Sequence, residues 1–298
     1  METKKVSIII PVYNVAAYLD RCFKSILSQD FKDYEVIFID DGSNDASTAL
    51  LKSYEQDFPD LVKVFRTKNQ GPGPSRNLGL EQAQGEWISF VDADDYLEKD
   101  YLSTLVSISE ESSAEVIAFN FYVDFNKSIK LLWPLFFNKD VISGKEAARR
   151  SLSFINMPAF AWSKFYKKDF LESINFAFPD IYFEDVAVNT IMLYQADKVA
   201  LSHKALYHYC RREGSEVKTF NLEKLKEALE AIEDVGQFLK NNDLIKTWHT
   251  EWQRFLFYCS SLFTIQILKY FDAYDFKAQS EIIKKMQARI DAISKKYE

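Results

Sequence analysis

Between Val6 and Val91 the hydrophobic pattern switches repeatedly from continuous apolar runs to helical spacing and back, and every apolar run stops at a polar loop. Val6-Ser7-Ile8-Ile9-Ile10, rich in β-branched residues and halted by Pro11, has the pattern of a strand buried on both faces of a parallel sheet. Leu19, Phe23, Ile26 and Leu27 then fall at helical spacing within Ala17–Gln29. Tyr34–Ile39 is a second strand ending in Asp40-Asp41-Gly42-Ser43; a helix follows, and Val62–Phe65 is a third strand. Gly71–Pro74 reads as a loop whose last proline enters the first turn of a helix running to Gln84. Trp87–Val91 is the fourth strand and delivers Asp92-Ala93-Asp94-Asp95. This alternation specifies an α/β chain with a doubly wound, mostly parallel sheet flanked by helices. Ligands bind such sheets beyond the carboxyl ends of the strands, so Pro11–Asn14, Asp40–Ser43 and Asp92–Asp95 are expected at one edge.

Past the fourth strand the pattern loosens. Glu98–Ser109 is read as helix, Val116–Val123 as strand, and Asp124–Asp140 as a loop rich in Trp and Phe. Ser143–Ser202 is expected to hold two helices, the second entered through Phe183-Glu184-Asp185, with a short strand at Ala205–Tyr209. Composition shifts near Asn221: from there to Glu298, twelve Lys/Arg meet twelve Asp/Glu, so the whole net charge of −7 lies before it. That tail has no Pro, and its apolar residues recur every three or four positions. The expected organisation is therefore an α/β domain over residues 1–220 and a C-terminal helical appendage of about three helices over 221–298.

With 47% apolar and 15% aromatic residues the chain has ample material for a core. Its negative charge argues against general nucleic-acid affinity, yet allows a metal ion to bring in an anionic substrate. Cys22, Cys210 and Cys259 lie far apart without metal-ligand spacing, which speaks for a reducing cytoplasm and against a disulfide framework or structural zinc. The N-terminal apolar run is too short for a signal peptide. Phe255–Leu268, interrupted by Ser, Thr and Gln, falls short of the roughly 20 residues a bilayer requires. A soluble or membrane-peripheral protein is expected.

Three adjoining carboxylates at a strand end repel one another unless a cation sits among them. Asp92 and Asp94, two apart on extended backbone, point to the same side and suit a hard divalent ion that also takes diphosphate oxygens; a solvated turn after an edge strand is the lesser alternative for the motif alone. Of Asp40 and Asp41, one must point into the cleft and the other away. A carboxylate facing a base only accepts hydrogen bonds, and uracil offers the N3–H that cytosine lacks, so an Asp here favours uridine or thymidine. The same four residues also serve as a turn and cap. Arg76, early in its helix, can face phosphate, base or solvent.

In order and spacing, Pro11-Val12-Tyr13-Asn14, Asp40-Asp41-Gly42-Ser43-x-Asp45, Ser75-Arg76-Asn77-x-Gly79, Asp92-Ala93-Asp94-Asp95 and Glu184-Asp185 resemble the family 2 glycosyltransferases, over roughly residues 4–215. The resemblance implies a GT-A fold, inversion at the anomeric carbon and a UDP-sugar donor. Asp41 would then read the uracil, Asp92 would lie near the ribose or the metal, and Asp94 would bind Mn²⁺ or Mg²⁺ between the phosphates. Pro11, Tyr13 and Arg76 would line the nucleotide pocket. Asp185 would be the general base, because inversion by one displacement needs a carboxylate to take the acceptor's proton opposite the departing UDP; Glu184-Asp185 also suits a plain helix N-terminus. Tyr207–Ser215 resembles the family's flexible segment, with Arg212 as a diphosphate clamp and His208 completing the metal shell. Cys210 stands where many relatives carry Arg, and a lone His between two Tyr also fits a packed strand residue. Asp95 receives no role.

The expectation is a metal-dependent inverting glycosyltransferase moving one hexose or N-acetylhexosamine, of galactose or glucose type, from a UDP-sugar to a hydroxyl of a growing glycan. The acceptor would sit on a lipid carrier or a protein, in capsule, lipid-linked oligosaccharide or surface-protein glycan synthesis. A sugar nucleotidyltransferase would carry a Gly-rich basic loop where Pro11–Asn14 stands, and an inactive nucleotide-sugar-binding or partner-binding relative is opposed by intact Asp94 and Asp185. Ile282, Met286, Ile290 and Ile293 form a stripe with Lys285, Arg289 and Lys296 on another face. It allows peripheral contact with the cytoplasmic face of a membrane, or packing on the α/β domain or in a homodimer.

Overall fold

A computed structural model describes residues 4–126, 129–133, 140–153, 157–211, 220–271 and 274–297. The first part follows the alternation. Strands β1 (Val6–Val12), β2 (Tyr34–Asp40), β3 (Val62–Arg66) and β4 (Trp87–Phe90) are mutually parallel where they pair. Helices α1 (Ala16–Leu27), α2 (Ser47–Asp57) and α3 (Pro72–Gln82) connect them. The third helix starts two residues earlier than expected. Pro72 and Pro74 both fit its first turn, where an N–H has no helical acceptor to lose, and Gly71 provides the left-handed entry at φ 92°.

β5 (Tyr96–Leu97) lies just past the Asp cluster and leads into α4 (Tyr101–Ser112) and β6 (Val116–Asn126). The second half departs further from expectation. Part of the stretch read as a loop is β7 (Ile129–Trp133), antiparallel to β6. β8 (Val141–Ser143) and α5 (Gly144–Ser151) follow. A four-residue strand, β9 (Lys164–Lys167), then enters antiparallel between β4 and β6. With α6 (Lys168–Ser173) and α7 (Glu184–Gln195), the described residues of this section hold three α-helices where two helices were expected, and β10 (Lys198–Cys210) is far longer than the short strand expected. Among the described residues one sheet results, in the order β3-β2-β1-β4-β9-β6-β10-β5, with β7 on β6 and β8 on β10.

Strand alternation splits the core between the two faces of this sheet. Ile8, Ile10 and Val12 face a layer with Phe23, Leu51 and Leu105 of α1, α2 and α4. Ile9, Ile37 and Ile39 face the other, with Ala147, Met192 and Leu193 of α5 and α7. The tail forms α8 (Leu222–Asn241), α9 (His249–Tyr270) and α10 (Phe276–Tyr297); the Asn221 side chain caps α8 by accepting from Lys224 N at 2.9 Å. Ile232, Phe263 and Ile290 of these helices join the second apolar layer. Met286, Ile290 and Ile293 are buried and Ile282 packs on them, so this stripe is a packing face and not a membrane face. No described helix is long and apolar enough to cross a membrane.

Candidate active site at the strand ends

β1 and β2 end side by side, and Asp41 N donates to Val12 O at 2.8 Å. From here the two aspartates diverge. Asp40 closes its own turn: Oδ1 accepts Ser43 N at 2.9 Å and Oδ2 accepts the Thr48 hydroxyl at 2.6 Å. Asp41 faces the loop before α3, accepting the Thr67 hydroxyl at 2.8 Å and the N–H groups of Gln70 and Gly71 at 2.9 and 2.8 Å. A carboxylate has roughly four lone-pair positions; Gln70 N also approaches Oδ2 at 3.1 Å, so each oxygen already faces two donors and a ligand would share or displace one of them. Pro11 lies in β1, and the Tyr13 ring just beyond it is 45% exposed.

Arg76 joins the two halves of the site. It is buried on α3, and its guanidinium reaches Asp92 Oδ1 at 3.2 Å, Glu184 Oε1 at 2.5 Å and Asp185 Oδ1 at 3.5 Å. Burial opposes its charge, but Asp185, Glu184 and Asp92 outweigh that and hold it protonated. One cation against three carboxylates leaves excess negative charge. Asp92 shows it: burial first, then repulsion from Asp94 and Asp185, push its carboxyl up to about 6 against the pull of Arg76.

Asp95, without a role in the sequence, is a tie between loop and sheet. Its Oδ2 accepts the Tyr207 hydroxyl and its Oδ1 accepts Cys210 N, both at 2.7 Å, while the same hydroxyl accepts Asp92 N at 3.0 Å. Burial, with Asp94 and Asp92 nearby, raises its carboxyl well above the usual range. Arg21 donates to the Asp94 carbonyl from α1. His208 is stacked between Tyr96 and Tyr122, at ring distances of 4.1 and 4.8 Å. Its Nε2 lies 2.8 Å from Glu98 and its Nδ1 3.4 Å from Asp124, so both nitrogens already face carboxylates. Arg212 lies outside the described residues. Among the described residues no group of three or more His, Cys, Asp or Glu is arranged to hold a metal by itself.

Asp185 opens α7. Its Oδ2 accepts Ala161 N at 3.2 Å, while its buried Oδ1 accepts no hydrogen bond. Residues 7–174, which include the loops after β1, β2 and β4 and end ten residues before α7, match the family model for glycosyl transferase family 2. The chain belongs to that family. EpsH of Bacillus subtilis (strain 168) is 29% identical over 266 residues, 88% of this chain and 77% of that protein. Staphylococcus aureus TarS 1-349, solved in complex with UDP-GlcNAc, superposes with a TM-score of 0.65 at 21% identity, covering 97% of this chain and 89% of that one. The mannosyltransferase PcManGT of Pyrobaculum calidifontis, solved with GDP-Man and Mn²⁺, gives 0.58 at 15% identity, covering 100% and 88%. Both are GT-A glycosyltransferases in fold, as is this chain.

Two residues of this glycosyltransferase support the site although its sequence assigns them no role. Asn77 clamps Phe178 by both backbone groups, donating to its O and accepting from its N at 2.8 Å each, and Arg76 lies over the Phe178 ring at 5.4 Å. Lys164 is completely buried, with Nζ on Pro158 O at 2.7 Å, Phe160 O at 3.1 Å and Ser163 Oγ at 3.1 Å. Burial pulls its ammonium down to about 7, against the attraction of Asp185. The available signal was a lysine inside Ala-Phe-Ala-Trp-Ser-Lys-Phe-Tyr, an otherwise apolar and aromatic stretch.

Proposed function

We propose that this family 2 glycosyltransferase moves one hexose or N-acetylhexosamine, of galactose or glucose type, from a UDP-sugar to a hydroxyl of a growing glycan on a lipid carrier or protein, with inversion and a divalent metal ion. The observation that carries the reading is the Arg76 bridge: one buried guanidinium joins Asp92, on the donor side, to Glu184 and Asp185 at the start of α7. Leaving group and base are thereby one side chain apart. Residues 1–220 carry this chemistry, and the helices of 221–298 support it from the second apolar layer.

The solved neighbours hold uridine and guanosine nucleotides on one fold, so the preference for uracil rests on Asp41, whose carboxylate takes the base N3–H in place of one of its loop donors. Pro11 and Tyr13 line the base pocket, and Arg212 clamps the diphosphate. Asp92 and Asp94 suit Mn²⁺ or Mg²⁺, because hard oxygen donors, one or two carboxylates with diphosphate oxygens, are what such ions take in nucleotide sites. A bound ion supplies neutralisation of the charge that grows on the departing diphosphate. His208, engaged by Glu98 and Asp124, stays out of that shell. Asp185, with Oδ2 on Ala161 N and Oδ1 facing Arg76 at 3.5 Å, takes the acceptor's proton on its carboxylate.

A panel of UDP-, GDP- and CDP-sugars with Mn²⁺, scored by nucleotide release and thermal shift, is expected to respond to a UDP-sugar. A response confined to GDP- or CDP-sugars contradicts the role of Asp41. Asp94→Ala is expected to abolish metal-dependent UDP binding in calorimetry, and unchanged binding removes Asp94 from the metal.

A further inference from the structure

Lys164 is held where an apolar side chain would cost less. A buried charge without an ion-pair partner is unfavourable, and lysines usually extend their heads to water; this one is 0% exposed on a strand flanked by aromatic rings. An ammonium has three N–H donors, and all three are used, on Pro158 O, Phe160 O and Ser163 Oγ. These acceptors belong to one short segment that turns at Ala161–Ser163. The same segment meets the reacting carboxylate, because Ala161 N donates to Asp185 Oδ2 at 3.2 Å. Its other side is tied as well, with Ala161 O accepting the Tyr166 hydroxyl at 2.9 Å.

We propose that Lys164 is a positioning residue for transfer: by gathering the carbonyls of Pro158 and Phe160 it locks the turn that presents the Ala161 N–H to Asp185, and so fixes the orientation of the Asp185 carboxylate. The inference rests on Asp185 being the base. Two carbonyl oxygens converging in an apolar interior repel each other unless a cation lies between them, and neither methionine nor leucine supplies one. The hydrogen bonds of Lys164 reach none of Asp41, Asp92 or Asp94, so its effect belongs to the transfer step and not to donor binding.

The test uses Lys164→Met, which keeps length without N–H groups, and Lys164→Gln, which keeps two donors. For Lys164→Met, UDP binding with Mn²⁺ measured by calorimetry is expected within about twofold of wild type, while kcat with the donor found in the panel drops about 10- to 100-fold, the scale of a misplaced reacting group. Backbone hydrogen exchange is expected to quicken at residues 158–163 and stay unchanged in β1 and β2. Lys164→Gln should recover part of the rate, and if Lys164→Met does not fold the same measurements are made on Lys164→Gln alone. A kcat within about threefold of wild type in the folded variant overturns the proposal, as does parallel loss of UDP binding, turnover and melting temperature, which marks packing only. Asp185→Asn separates the two readings. Turnover retained in Asp185→Asn defeats the base assignment, whereas an inactive Asp185→Asn beside a normal Lys164→Met defeats the role of Lys164 alone.

Discussion

At the scale of single residues, Arg76 has the largest consequences. Removing it takes the shared guanidinium from Asp92, Glu184 and Asp185, so Arg76→Met is expected to cost about 3–5 kcal/mol in denaturant unfolding, the range for breaking a buried ion pair from one side. Arg76→Lys should recover little, because a single ammonium cannot replace a planar fork that meets Asp92 with one nitrogen and Glu184 with the other. Asp185→Asn is expected to fold and bind UDP within about twofold of wild type, with transfer reduced about 10²- to 10⁴-fold, the usual share of a general base. The residue types at strand ends are legible as chemistry in the sequence, since Asp41, Asp92 and Asp94 follow apolar runs whose ends a sheet places together. The use of each oxygen is not. Asp95 and Lys164 show why: Asp95 accepts from Tyr207 and Cys210 on β10, more than a hundred residues away, and Lys164 is buried with its three acceptors only because the turn before β9 folds back over it, which no residue pattern there announces.

At the scale of elements, α3 sets where Arg76 stands. Gly79 lets that helix lie directly on β1; a Cβ there would come within 2.3 Å of Ile9 Cγ2. Gly79→Ala is therefore expected to destabilise by about 1–3 kcal/mol, the cost of overpacking, and to weaken UDP binding because the helix carrying Arg76 must shift. Thermal melts and calorimetry check the two effects separately. The strands β1 to β4 and their helices were legible to within a few residues, since buried parallel strands are continuous apolar runs. β7 and β9 were not. Lys-Phe-Tyr-Lys is too short to show a period, and its strand state comes from pairing with β4 and β6, far away in sequence.

At the scale of the whole molecule, the crowding of carboxylates makes stability depend on pH. The Asp92 carboxyl, raised to about 6 in the folded protein from an ordinary value of 3.8, holds its proton more tightly when folded. Its contribution is thus fully present below the lower value and lost as pH rises through the upper one. Melting of the metal-free protein is expected to show this loss between about pH 4 and 7, Asp92→Asn should flatten it, and Mn²⁺ with UDP should restore stability at neutral pH. A wild-type profile identical to that of Asp92→Asn would remove Asp92 as the source.

The sequence by itself determined the alternation of strands and helices, and with it the edge to which Asp41, Asp92 and Asp94 come, because hydrophobic period and strand length are local properties of a chain. It also marked Glu184-Asp185 as a second acidic pair. Only the tertiary structure decided that Arg76 ties that pair to Asp92, that Asp95 holds the loop to β10, and that Lys164 lies buried beneath the turn facing Asp185. Those contacts depend on which distant strands pair and on which charges burial forces together, and neither is written in any local pattern of residues.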